Sequence, residues 1–216
     1  MTEHNFEHMR KAMIASQLRT TGVNDPAVLA AIGEVAREHF VPAERVALAY
    51  ADLVVPLKDG RDLNSPMALG RLLTELSPQQ GERALVIGAA TGYAAAVMAR
   101  LTGSVVAVEE DAELLAFARE ALAGTGVELV EAPLIAGAPQ GAPYDVILID
   151  GAVEFVPQAI VEQLKDGGRL AASILEDGVT RLAIGRRAGE GFGMASVSDA
   201  AAAVLPGFLK PRTFTF

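Results

Sequence analysis

The chain has 216 residues, of which 51% are hydrophobic and 21% are charged, and this balance excludes disorder and favours one globular domain with a large core. The formal net charge of −9 argues against non-specific binding to nucleic acid or to an anionic membrane, because phosphate contacts need clustered lysines and arginines. The sequence has no cysteine and no apolar run of about 18 residues, so we expect a soluble, cytoplasmic protein without a metal site or a membrane partner.

The first 80 residues are predicted to form a helical extension or lid on a core that spans residues 81–216. Apolar residues at helical spacing predict a first helix from about Phe6 to Thr21. A second helix begins at Pro26, with Asn24 or Asp25 as its cap, and runs to Phe40. Because the chain shows no interdomain linker, we treat residues 1–216 as a single domain.

The next stretch leads from a predicted strand to the start of a helix. Residues 53–57 predict a strand, residues 58–65 a polar turn, and Pro66 the first turn of a helix. Asn64 and Ser65 therefore present hydrogen-bonding groups beside the free amides of a helix start, where an anion is stabilised. Either side chain could instead simply cap the helix, and the sequence leaves both interpretations open.

Strands and helices alternate in the remainder of the chain. The predicted parallel strands are Ala84–Gly88, Val105–Glu109, Val127–Glu131, Tyr144–Asp150 and Arg169–Ile174. The predicted helices are Tyr93–Leu101, Asp111–Ala123 and Val156–Leu164. Two antiparallel strands follow at Arg181–Arg187 and Phe192–Val197. This order predicts an α/β fold with a doubly wound, mostly parallel sheet that ends in antiparallel strands.

The sequence ALVIGAATGYAAAV, from Ala84 to Val97, predicts a strand, a tight loop and a helix. Glu109 ends the next strand about 20 residues after the first glycine, where nucleotide-binding folds place the acid that holds ribose hydroxyls. The loop lacks the G-x-G-x-x-G spacing that brings the backbone against a pyrophosphate. The spacing therefore favours a nucleoside cofactor without phosphate, such as S-adenosylmethionine, although a purely structural turn stays open.

Several segments together resemble the protein-L-isoaspartate O-methyltransferase family, in order and in spacing, over nearly the whole chain. They are SQLRTTGVNDPAVLAAIGEVAREHFVP with AYAD, IGAATGYAAAVMARL, APYDVIL with VPQAIVEQLKDGGRL, and the closing VLPGF. The resemblance implies a seven-stranded Rossmann-like methyltransferase fold with an N-terminal helical extension. It also implies S-adenosylmethionine as the cofactor, isoaspartyl peptides or proteins as partners, and methyl transfer to the isoaspartyl carboxylate as a repair reaction.

The resemblance assigns site residues one by one. Gly88 and Gly92 match glycines of the family's cofactor loop, and Glu109 matches its ribose-binding acid. The cofactor-binding set carried over in this way is Gly88, Ala89, Ala90, Thr91, Gly92, Glu109, Glu110, Ala132 and Pro133.

This chain departs from the family's pattern at several of these places. The replacements are Asp62, Leu63 and Asn64 for a threonine, an apolar residue and a serine, Val86 for an acid, Ala90 for a glycine, and Ala132, Pro133 and Leu134 for G-D-G. Without the serine, the amide of Asn64 or the hydroxyl of Ser65 is predicted to orient the substrate carboxylate.

Two other functions follow from different features. Asp150 ends a predicted strand at the edge where ligands gather, the position of a metal-binding aspartate in some small-molecule O-methyltransferases. A single acid does not make a divalent-metal site, so we expect Asp150 to be a solvated strand-end acid. The altered site positions suggest a third hypothesis, in which the fold serves as a binding module without catalysis.

Overall fold

Seven strands form one sheet in a computed structural model that describes residues 5–58 and 60–210. The described residues contain nine strands, of which the first two form a separate hairpin. In chain order they are β1 (Val55–Lys58), β2 (Arg61–Leu63), β3 (Arg83–Ile87), β4 (Ser104–Glu109), β5 (Glu128–Glu131), β6 (Tyr144–Val153), β7 (Leu164–Glu176), β8 (Val179–Ala188) and β9 (Gly191–Asp199). The seven-stranded sheet has the order β5-β4-β3-β6-β7-β8-β9. The first five strands in this order pair in parallel, whereas β8 pairs antiparallel with both β7 and β9. The predicted doubly wound sheet is confirmed.

Six α-helices surround this sheet in the described residues. In chain order they are α1 (Phe6–Met13), α2 (Pro26–Glu34), α3 (Pro66–Leu76), α4 (Tyr93–Leu101), α5 (Ala112–Ala121) and α6 (Gln158–Val161). Asp25 caps α2 as predicted, because its carboxylate accepts the amides of Ala27 and Val28 at 2.8 and 3.0 Å. Within residues 5–58 and 60–210, no helix is both long and apolar enough to span a membrane.

The first predicted helix changes type along its length, and the second ends earlier than predicted. After Met13 the helical run continues as a π turn and a 3₁₀ turn up to Gly22. The second helix ends at Glu34 rather than Phe40, because Val35 has an extended backbone and redirects the chain. This turn lets the separate 3₁₀ segment Arg37–Phe40 bury both of its end residues against the core.

Two other predictions are corrected by pairing that the sequence did not reveal. The helix expected over 156–164 keeps only four residues, since Leu164 already pairs with Tyr144 at the start of β7. The polar turn expected over 58–65 contains β2, which pairs antiparallel with β1 in a separate hairpin. Arg61 and Leu63 are both buried, with Asp62 partly exposed between them, which is the alternation of a strand.

Side chains from the two faces of the sheet enter two separate cores. On β3, Val86 packs with the N-terminal helices, while Leu85 and Ile87 pack on the other face with α6. The parallel strands β3 and β4 end at one margin, which we call the carboxyl edge and which also contains Asp150 of β6. This geometry brings the glycine loop, Glu109 and Asp150 into one region.

Candidate active site

The glycine loop joins β3 to α4 at the carboxyl edge. Gly88 and Gly92 have backbone φ angles of +80° and +100°, a left-handed conformation that strains any residue with a Cβ. The amides of Gly88 and Ala89 both donate to the carbonyl of Val108, at 3.1 and 2.9 Å. The Thr91 hydroxyl donates to the Phe40 carbonyl at 2.6 Å. The loop is therefore held by β4 and by the N-terminal extension.

Glu109 lies at the end of β4 and is fully buried. Its Oε2 accepts the amide of Ala90 in the glycine loop at 2.7 Å, and its Oε1 accepts the amides of Glu110 and Asp111 at 2.9 and 3.0 Å. Arg61 of β2 forms a two-pronged ion pair with the same carboxylate, in which Nη2 lies 2.6 Å from Oε2 and Nη1 contacts Oε1. The acid expected to hold ribose is thus occupied by a side chain of the protein itself.

A second ion pair joins the same hairpin to the same region. Lys58 Nζ lies 2.8 Å from Oδ2 of Asp111 and 2.6 Å from Oε2 of Glu113. Asp111 also caps α5, since its Oδ1 accepts the amides of Glu113 and Leu114 at 3.0 and 3.1 Å. The hydrogen bond from Lys58 contributes most to lowering the pKa of Asp111. The two cations of the hairpin therefore both pair with acids at the end of β4 or the start of α5.

Asn64 and Ser65, the two predicted substrate-orienting residues, are both buried between β2 and α3. Asn64 Nδ2 donates to Asp150 Oδ1 at 2.7 Å, and Asn64 Oδ1 accepts the amide of Ala203 at 2.7 Å. Ser65 is the cap of α3, because its Oγ accepts the amide of Ala68 at 3.2 Å. Asn64 thus joins three parts of the chain, while Ser65 has the capping contact that the sequence offered as one alternative.

Asp150 is buried, with 5% of its surface exposed, which contradicts the expectation of a solvated strand-end acid. The reason is that β6 continues beyond it to Val153 and that Asn64 lies across its carboxylate. Burial raises the pKa of the Asp150 carboxyl, whereas the Asn64 hydrogen bond and the charges of Arg37 and Arg61 oppose that rise. Asn64 thus holds one oxygen of a largely buried carboxylate.

Arg37, which no sequence pattern marked, is a fully buried cation beneath this cluster. Its Nε donates to the Ala49 carbonyl at 2.8 Å and its Nη2 to the Asn64 carbonyl at 2.5 Å. The guanidinium lies 4.6 Å from the ring centre of Tyr93, the first residue of α4. Arg37 therefore fixes the backbone position of Asn64 relative to the glycine loop.

The C-terminal segment, residues 200–208, crosses the carboxyl edge. The amide of Ala152 donates to the Ala203 carbonyl at 2.6 Å, and the amide of Leu205 donates to the Ala152 carbonyl at 3.0 Å. A Cβ placed on Gly88 would lie 3.0 Å from both methyl groups of Leu205, and one placed on Gly151 would collide with the same side chain. Leu205, which is 2% exposed, thus fills the space in front of Gly88.

The remaining carried-over residues follow β4 and β5. Glu110 is exposed, and its Oε2 accepts the amide of Leu134 at 3.2 Å. The amide of Ala132 donates to the Glu109 carbonyl at 3.3 Å, and Pro133 precedes a short 3₁₀ turn. The structure brings Glu110, Ala132 and Pro133 together beside Glu109, on the side of the loop away from Asn64 and Ser65.

The site fits an S-adenosylmethionine-type ligand in its chemistry but not in its space. The chemistry fits in part, because a buried carboxylate beside a glycine loop can accept two ribose hydroxyls. The space does not fit, because Arg61 holds both carboxylate oxygens and Leu205 packs against Gly88. In this conformation the site is closed by side chains of the protein.

Sequence signals for these closing residues were weak. Arg61 and Lys58 lie in a stretch with the composition of a polar turn, and only the opposition of two cations to the acidic run after Val108 could have suggested their contacts. Leu205 belongs to the VLPGF segment, whose only signal in the sequence was its resemblance to the family. The structure gives that segment one bridge, between Ala152 and Val204.

Comparison with known proteins gives a consistent result. A family model described as protein-L-isoaspartate(D-aspartate) O-methyltransferase matches residues 8–200. A protein-L-isoaspartate O-methyltransferase of Methylorubrum populi is 41% identical over 186 residues, which cover 85% of this chain and 88% of that protein. Protein-L-isoaspartate O-methyltransferase 1 of Rhodopseudomonas palustris is 38% identical and covers 80% of this chain and 72% of its own length.

Solved structures agree with the fold. A protein-L-isoaspartate O-methyltransferase structure superimposes with a TM-score of 0.82 at 26% identity, over 93% of this chain and 67% of that one. A Plasmodium falciparum structure of a putative protein-L-isoaspartate O-methyltransferase, in complex with S-adenosyl-L-homocysteine, has a TM-score of 0.75 at 19% identity and covers 94% of this chain and 99% of its own. At that identity, the second structure supports the fold alone.

Proposed function

Since this chain belongs to the protein-L-isoaspartate(D-aspartate) O-methyltransferase family, we propose that it transfers a methyl group from S-adenosylmethionine to the free carboxylate of L-isoaspartyl residues in damaged peptides and proteins. The observation that supports this best is Glu109. It is a buried acid at the carboxyl end of β4, and it is bonded to the amide of Ala90 in the glycine loop. This is the arrangement that holds a nucleoside ribose in folds of this kind.

The proposed reaction does not require the protein to remove a proton from the substrate. A carboxylic acid with a pKa near ~4 is already ionised at neutral pH, so its oxygen needs no general base. The cofactor supplies an electrophilic methyl group, and the protein must position the substrate carboxylate and exclude water. Positioning errors of this kind typically cost on the order of 10²–10³ in rate when one donor is lost.

Two side chains are the donors we propose for the substrate carboxylate. Asn64 Nδ2 carries two hydrogens, of which one is bonded to Asp150. The Ser65 hydroxyl accepts the amide of Ala68, which leaves its own hydrogen for a ligand. Arg37 places Asn64 near the glycine loop, because it donates to the Asn64 carbonyl and lies over the ring of Tyr93 at the start of α4. Ser65 is the next residue along the chain.

Paired peptides that differ only in the aspartyl linkage test this function. We expect methyl groups from labelled S-adenosylmethionine to enter the isoaspartyl peptide and not its normal aspartyl counterpart. Glu109→Gln removes the charge of the proposed ribose acid and should abolish labelling, whereas Glu131→Gln, at an exposed position of β5, serves as the matched control. Equal labelling of both peptides, or none of either, contradicts the proposal.

A second candidate function is a binding module without catalysis. It is favoured by the closed site, in which Arg61 holds both carboxylate oxygens of Glu109 and Leu205 packs against Gly88. Calorimetry with S-adenosyl-L-homocysteine separates the two candidates. Binding at micromolar to millimolar concentration supports the enzyme, and its absence in both the wild type and a variant without Arg61 supports the module.

A further inference from the structure

We propose that the β1–β2 hairpin is a lid, and that two ion pairs lock it over the chain's own cofactor site. In the closed form Arg61 takes the place on Glu109 that a nucleoside ribose would occupy. The inference rests on the proposed function and adds to it a control of access to the site. It concerns residues 55–58 and 60–63 and the acidic stretch on which they rest.

The first lock is the pair between Arg61 and Glu109. Its two contacts, Nη1 to Oε1 and Nη2 to Oε2, use both carboxylate oxygens. Arg61 Nε, also buried, has no hydrogen-bond partner among the residues that the structure describes. The guanidinium is therefore only partly satisfied, and leaving a low-dielectric site to reach water recovers that lost hydrogen bond. Such a pair is suited to being displaced by another ligand of Glu109.

The second lock is the contact of Lys58 with Asp111 and Glu113. These two hydrogen bonds raise the pKa of Lys58. The Glu113 side chain is 83% exposed and that of Lys58 is 32% exposed. This second lock is therefore an ion pair exposed to solvent, and salt weakens it. Both locks join a cation of the hairpin to an acid at the end of β4 or the start of α5, so they open or close together.

The hairpin is built so that it can move. Its strands have four and three residues, pair only with each other, and contain an irregularity between Pro56 and Lys58. A two-stranded ribbon of this size has little stability of its own. Val55 and Leu63 are buried at its base, whereas Pro56 is exposed and Leu57 half-buried nearer the tip. Rotation about this base would carry Lys58 and Arg61 away from the site as one unit.

The test uses S-adenosyl-L-homocysteine, because its net charge is zero and salt acts mainly on the protein. A ligand that needs the open lid binds with an apparent affinity reduced by the fraction of open molecules. Arg61→Met should therefore tighten binding at least tenfold, and Lys58→Met about two- to fivefold, the range expected for an exposed pair. Raising NaCl from about 0.05 M to about 0.5 M should tighten binding to the wild type and have less effect on Lys58→Met.

Two matched controls lie at the opposite edge of the sheet. Lys165 Nζ is 2.6 Å from Oδ1 of Asp145, and Arg169 binds Glu82 with two contacts. Lys165→Met and Arg169→Met remove ion pairs of the same kinds away from the site, so their affinities should stay within about twofold of the wild type. Hydrogen exchange of the amides at 55–58 and 60–63, without ligand, gives a second measurement. It should be faster in Arg61→Met and Lys58→Met than in the wild type or the controls.

The outcomes separate the lid from the proposed function. Tighter binding in both hairpin variants, with unchanged controls, supports the lid. Equal or weaker binding in Arg61→Met, when the wild type binds, overturns the lid and leaves the proposed function standing. If no variant binds, the proposed function fails, and hydrogen exchange then decides whether the hairpin is a lid: faster exchange in the two variants supports it, and unchanged exchange overturns it.

Discussion

Replacement of Asn64 by alanine should destabilise the fold more than a polar substitution on the surface would. The change removes two buried hydrogen bonds of 2.7 Å, one to Asp150 and one from the amide of Ala203. Each buried polar group left without a partner costs about 1–3 kcal/mol, so the two together predict a loss of about 2–6 kcal/mol in the free energy of unfolding. Urea denaturation followed by circular dichroism measures this loss.

The charge of Asp150 gives this prediction a second, independent part. Because a hydrogen bond to a charged acceptor is worth more than one to a neutral acceptor, Asn64→Ala should cost about 1 kcal/mol less in an Asp150→Asn background. Gln80→Ala is the control, since Gln80 is exposed and its amide donates only to the Arg100 carbonyl. A loss for Asn64→Ala below about 0.5 kcal/mol, or one equal in both backgrounds, would refute the role of Asn64 as a buried link.

Two other predictions concern the same edge. Asp150→Asn should raise the free energy of unfolding at neutral pH. Burial raises the pKa of Asp150 above its ordinary value of 3.8, so the wild type loses stability as the pH rises from that value through the raised pKa. Urea titrations that show no pH-dependent difference in stability between the wild type and the variant would contradict this. Gly88→Ala should destabilise by about 1–3 kcal/mol, because the φ angle is +80° and the new Cβ would lie 3.0 Å from Leu205; the loss should shrink in a Leu205→Ala background, and an undiminished loss would show that the contact with Leu205 is unimportant.

Much of the fold was predictable because it depends on local patterns. Pro66 predicted the start of α3, and apolar periodicity with the glycines of the loop predicted both bounds of α4. Both strands of the antiparallel end were also predicted, since Gly189 and Gly191 mark their connection. Elements whose limits depend on distant partners were less predictable. The second helix stops at Glu34 because the chain must bring Arg37 to Ala49 and Asn64, and no local signal encodes that contact.

The candidate site shows the same division. The sequence placed Glu109 beside the glycine loop, and the structure brings them to within a hydrogen bond, from Ala90 to Glu109. It did not reveal that Asp150 is buried or that Arg61 is paired with Glu109, because a charged residue in a polar stretch is usually exposed. Burial of a charge depends on a partner that is distant in sequence, here 48 residues away. Such pairs become visible only in three dimensions.

In the proposed function, Glu109 is the ribose-binding acid, and Arg61 must leave it before a cofactor can bind. The most direct measurement is a crystal structure of the chain grown with S-adenosyl-L-homocysteine. We expect the Glu109 carboxylate to accept both ribose hydroxyls, with Arg61 and the β1–β2 hairpin displaced from the carboxyl edge. A complex in which the ligand is bound while the Arg61–Glu109 pair stays intact would contradict this order of events.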